Sequence, residues 1–157
     1  NVNVPGGEYG NALQAAAAKE NESIVGLLLE GGADVNAQGG RYGNALQTAA
    51  ANGNESVVGQ LLERGADVNA QGGLHGNALQ AAAENGNESV VRLLLERGAD
   101  VNAQGGEYGN ALQAATRGGN GSVVGLLLEH GADVNAQGGH YGNALRAAQK
   151  LRHESIV

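Results

Sequence analysis

The chain's chemically capable side chains are few, and most of them recur. It has four histidines, His75, His130, His140 and His153, the side chains best suited to general acid–base work or to zinc. Zinc needs three or four converging ligands, and these four share no helical i, i+4 spacing. His153-Glu154 begins like the H-E-x-x-H helix of a metalloprotease, but its fifth position is Val157. The serines Ser23, Ser56, Ser89, Ser122 and Ser155 occur once per stretch of similar sequence, with Thr48 and Thr116 the only threonines. A catalytic nucleophile acts once, beside a base, so this printing excludes the hydroxyls as a reacting group. The glycine pairs, such as Gly39-Gly40, suggest a phosphate cradle. No Gly-Lys-Ser/Thr follows them and no apolar strand precedes them, so they read as turns. Asn21, Asn54, Asn87 and Asn120 each begin an N-x-S sequon, the acceptor for glycans in a secreted chain, and each reads instead as a helix cap. The chain is therefore expected to be no enzyme, to hold no metal and to need no cofactor.

What such residues stand on is a unit copied every 33 residues. The stretch GG-x-Y-G-N-A-L starts at Gly6, Gly39, Gly72, Gly105 and Gly138 without insertion or deletion, with His75 the one change at its tyrosine. A fixed period of this size is the signature of a solenoid. It predicts four full repeats, 6–38, 39–71, 72–104 and 105–137, with 1–5 the tail of a preceding repeat and 138–157 a partial one. Both ends fall inside a unit, which suggests a piece of a longer array whose outer layers lack polar capping repeats.

Within a unit, Asn44 is placed to cap a first helix over about 45–51, and Gln47 to answer it as in a capping box. That helix is nearly all alanine and stops at Asn52-Gly53, where glycine accepts a left-handed conformation. Asn54 caps a second helix whose apolar stripe is Val57, Val58, Leu61 and Leu62, ended by Gly65. Helices this short are marginal alone, so each must be held by the next unit. Every leucine so covered contributes roughly 1.5–3 kcal/mol. The chain has no Phe, Trp, Cys or Met, so its core is thin layers of Ala, Val and Leu and no disulfide forms. A net charge of -7 argues against nucleic acid, and no run is apolar or long enough for a membrane span. The charge is uneven: 6–38 carry five acids and one base, 138–157 three bases and one acid.

The run V-V-x-L-L-L-x-x-G-A-D-V-N-A, as at Val90 to Ala103, closely resembles the ankyrin repeat, whose period is also 33. Where that family usually has T-P-L-H, this chain has Asn11-Ala12-Leu13-Gln14 and its copies; Asn caps as Thr does, and Gln offers a donor and an acceptor in place of His. The resemblance implies an all-α solenoid of helix–turn–helix units with extended hairpin arms, and a module for protein–protein recognition. In such repeats the arm tips and the first helices share the concave side. The wording GADVNAQGGxYGNALQAAA is also similar to the arrays that end fungal receptors of the NACHT type, which implies a larger intracellular, cytoplasmic signalling protein.

Against so regular a background, variation carries information. The arm-tip column holds Glu8, Arg41, Leu74, Glu107 and His140. Beside it stand Tyr9, Tyr42, His75, Tyr108 and Tyr141, either packing posts between arms or broad contact residues. A second varying patch ends the first helix: Ala18, Ala51, Glu84, Arg117 and Lys150, followed by Lys19, Asn52, Asn85, Gly118 and Leu151. By contrast Glu30, Glu63, Glu96 and Glu129 stay fixed on the convex side, where one column does vary, Gly26, Gly59, Arg92 and Gly125. The two tip columns plus Glu84, Arg117 and Lys150 are thus the expected contacts for a protein or peptide partner. The alternatives are a structural array that self-associates end to end, and an engineered consensus scaffold.

Overall fold

The computed structural model describes residues 1–151, so the expectations at His153, Glu154, Ser155 and Val157 lie outside the described residues. Among them the elements are α1 (Ala12–Ala18), α2 (Glu22–Glu30), α3 (Ala45–Asn52), α4 (Glu55–Glu63), α5 (Ala78–Glu84), α6 (Glu88–Glu96), α7 (Ala111–Gly118), α8 (Gly121–Glu129) and α9 (Ala144–Leu151). Odd-numbered helices are the first of each pair and stack on one another along the molecule, as do the even-numbered second helices. The first helices meet far more extensively than the second. The cause is size: alanine lets neighbouring backbones approach, whereas the valine and leucine stripes hold the second helices apart. A stack that is tighter on one side curves toward it, so the first helices line the concave side.

Local chemistry sets each boundary. Asn44 is extended and its side-chain oxygen accepts the N–H of Gln47 at 2.9 Å, while Gly53 closes α3 at φ 75. The expected reply of glutamine to its cap forms only between Gln80 and Asn77. In Gln14, Gln47 and Gln113 the Oε1 makes no hydrogen bond, while the Nε2 of all four glutamines, Gln80 included, is used alike. Gln47 Nε2 donates to the carbonyls of Ala70, Gly72 and Gly76 in the following arm, and Gln14, Gln80 and Gln113 serve the next arm in the same way. One buried side chain thus satisfies backbone groups that a tight arm would otherwise strand. A second ladder runs through the loops. Asn36 Nδ2 donates to Gly65 O at 3.1 Å, and its oxygen accepts the Asp67 N–H at 2.8 Å, a pattern repeated by Asn3, Asn69 and Asn102.

The sequon asparagines divide. Asn21 and Asn54 cap their own helices through the side chain, but Asn87 and Asn120 do not. Asn87 Nδ2 reaches back to the carbonyls of Ala50 and Ala51, and Asn120 Nδ2 to those of Ala83 and Glu84. These two side chains pin the end of the preceding repeat's first helix.

The core follows the expected stripe, with Val57, Val58 and Leu61 fully buried and Leu62 partly so. Among the described residues no helix is long and apolar enough to cross a membrane.

Candidate partner-binding surface

Each arm ends in a turn closed by its own glycines: the Gly72 N–H donates to Gly76 O at 2.7 Å. Gly73 lies at φ 62, and a Cβ there would strike the carbonyl of Tyr42 in the preceding arm. Only glycine lets successive tips approach this closely. In the middle of the array the tips are also joined directly. The Leu74 N–H donates to Arg41 O at 3.0 Å and the Glu107 N–H to Leu74 O at 3.2 Å.

Of the tip column, Glu8, Arg41, Glu107 and His140 are exposed and Leu74 is half-buried. The neighbouring aromatic column is covered. His75 and Tyr108 are only 7% and 8% exposed, while Tyr9, Tyr42 and Tyr141 are intermediate. Each ring has a partner. Lys19 sits 6.0 Å over Tyr9, Tyr42 stacks on His75 at 5.8 Å, Arg117 lies 4.8 Å over Tyr108 and Lys150 5.6 Å over Tyr141. Cations from the ends of the first helices thus cover Tyr9, Tyr108 and Tyr141, while Tyr42 and His75 cover each other. A ring face attracts a cation placed over it, most strongly where water is scarce.

Repeats two to four bring seven of the expected residues into one groove of about 310 Å³: Arg41, Tyr42, Leu74, His75, Glu84, Tyr108 and Arg117. Ala51, Asn52 and Asn85 complete its lining. Those three belong to the same varying columns; their variation was the signal that marked them, and their small or neutral side chains hid it. Glu8, Tyr9, Glu107, His140, Tyr141 and Lys150 lie outside this groove, farther along the tips.

Glu84 is the hub. Its Oε1 accepts from Arg117 at 2.9 Å across the repeat boundary, and its Oε2 lies 2.7 Å from His75 Nδ1 at an angle that is not a hydrogen bond's. The His75 contact becomes an ion pair when the imidazole is protonated. The Glu84 side chain is 12% exposed and that of Arg117 42%. Burial first, and the charge of Glu84 second, push the Tyr108 hydroxyl up from 10.0 to about 12. The hydroxyl stays protonated through the physiological range and offers the groove a neutral phenol.

A stack of paired helices, with hydrogen-bonded arms along one side and much of its sequence variation there, defines a solenoid scaffold. The family model for ankyrin repeats (3 copies) matches residues 1–72 and 71–138, and the chain belongs to the ankyrin-repeat family. Members of that family are generally protein–protein interaction modules. A comparison with curated proteins finds no match.

Proposed function

We propose that the chain recognises a protein partner on its concave side, through the arm tips and the ends of the first helices, as part of a larger cytoplasmic receptor or signalling protein. One observation supports this reading: every residue lining the central groove comes from a column that varies between repeats, while the buried positions of the first helices change little, with Thr48 and Thr116 each standing in a column otherwise alanine in the full repeats. The mechanism is complementarity of shape and charge without chemical change. It is tested by comparing two variants as bait, R41A/L74A on the rim and E63A/E96A on the outer helices. Partners captured by the wild type and by the outer variant, and lost by the rim variant, support the concave side. Equal loss with both, or with neither, overturns it.

A second reading is end-to-end association. It is favoured by apolar side chains exposed at both ends of the stack, Ile24 and Leu27 at one and Leu128, Val134 and Leu145 at the other. Near the latter lies an apolar hollow of about 270 Å³. Sedimentation at rising concentration checks it, and a monomer throughout removes it.

A further inference from the structure

Three departures from the repeated unit meet at one point in the central groove. The tip aromatic is tyrosine in four repeats but His75 in the third. The residue that ends the first helix is Ala18 and Ala51 in the first two repeats, Glu84 in the third and Arg117 in the fourth. These exceptions touch one another through the two oxygens of Glu84. Several further contacts hold the cluster still. Asn120 Nδ2 fixes the Glu84 carbonyl at 2.8 Å, a Cβ at Gly118 would strike that same carbonyl, and Tyr108 supports the Arg117 guanidinium from beneath.

The arrangement turns its acid inward and its bases outward. Glu84 sits in the floor, with one oxygen taken up by Arg117 and the other against His75. A guanidinium laid on a ring directs its N–H groups outward in its own plane, the fork that matches a carboxylate. Across the groove Arg41 is exposed and has no ion-pair partner among the described residues. The lining therefore holds two guanidinium groups and one carboxylate, in a chain of net charge -7. Leu74 supplies an aliphatic contact between the arms. Its N–H is bonded to Arg41 O and its carbonyl to the Glu107 N–H, so the rim is ordered before anything binds.

We propose that this groove receives the carboxylate of an Asp or Glu presented by a partner peptide, between Arg41 and Arg117, with an aliphatic neighbour of that acid lying on Leu74. The proposal rests on the concave side being the recognition surface. A single carboxylate suits Arg41, an exposed guanidinium with no ion-pair partner among the described residues. A longer run of acids meets Glu107 at the next tip, and a polyanion meets the negative charge of the chain as a whole. Because the rim is already ordered, little conformational entropy is lost when the acid docks.

The test is a selection of short random displayed peptides on the whole chain, with counter-selection on R41A/R117A. The expected survivors share one Asp or Glu beside Leu, Ile or Val. A synthetic survivor binds about tenfold or more tightly than the same peptide with Asn or Gln at that position, and R41A alone weakens it by a similar factor. R41K and R117K keep the charge but lose the fork, so they bind measurably less tightly than the wild type. Arg41 is exposed, so R41A leaves folding intact, and thermal unfolding of each variant separates lost contact from lost structure. Survivors that lack an acid, or that tolerate the amide, overturn the carboxylate while leaving the concave surface in place if L74A still weakens them. Survivors indifferent to L74A and R41A overturn both readings, and an absence of survivors after counter-selection overturns this one.

Discussion

The inner and outer helices are built by opposite rules. In α3 every residue from Ala45 to Ala50 is buried, two of them the polar Gln47 and Thr48. In α4 only Val57, Val58 and Leu61 are buried, and Glu55, Ser56 and Glu63 face water. The outer side is held by an ordinary apolar stripe. The inner side, poorer in apolar bulk, is held because small side chains allow close approach and the donors they bring along, Gln47 Nε2 and the Thr48 hydroxyl, are matched to backbone carbonyls. That division frees part of the rim: with the glutamine and asparagine ladders holding the arms, Glu8, Arg41, Glu107 and His140 stay exposed, while the aromatic beside each still packs.

The comparison breaks most readily at the glutamine ladder. Gln80→Ala deprives Ala103 O, Gly105 O and Gly109 O of their shared donor and leaves a void, and is expected to cost about 2–4 kcal/mol in urea unfolding. The outer Arg64→Ala removes only an exposed pair with Glu30 at 3.8 Å and is expected to change stability by less than about 0.5 kcal/mol. Comparable losses for the two would dissolve the contrast. Next comes the Glu84 hub. Glu84→Ala removes the Arg117 partner across the repeat boundary and the carboxylate facing His75 and is expected to cost about 1–2 kcal/mol, whereas H75Y/E84A, which restores the pattern of the first two repeats, recovers part of that loss. Strict additivity in this cycle would show the cluster to be uncoupled.

The same cluster has an alkaline signature. The Tyr108 hydroxyl is raised in the folded state from 10.0 to about 12, so its contribution to stability is complete below pH 10 and is lost as pH rises toward 12. Absorbance titration should show one phenol ionising late, and earlier in the E84Q variant. The smallest effect belongs to the outer side. A Cβ at Gly59 or Gly125 meets nothing within 4 Å, so Gly59→Ala and Gly125→Ala are each expected to add about 0.5–1 kcal/mol. A loss instead would mean that the outer helices are packed as tightly as the inner ones. Nothing in the structure explains why this column keeps glycine.

Much of the fold was legible because a solenoid is made of near-neighbour contacts. The period, the cap at Asn44, the stop at Gly53 and the stripe from Val57 to Leu61 are local chemistry repeated. The reading faltered where one side chain had two possible partners. Asn87 and Asn120 stand in the same column as Asn54 yet bond to the preceding repeat, and Gln47 returns no bond to Asn44 although Gln80 does so to Asn77. Composition cannot choose between such partners, because the choice depends on the distance between stacked units.

The candidate surface divides along the same line. Its varying columns were visible from the amino acids alone, since a repeated unit displays its own exceptions. That His75, Glu84 and Arg117 are one cluster, with the acid turned inward and Arg117 laid over Tyr108, was settled only by the stacking. Sequence determined which residues depart from the pattern; tertiary structure decided which departures meet, because residues 33 apart become neighbours only when one repeat lies on the next.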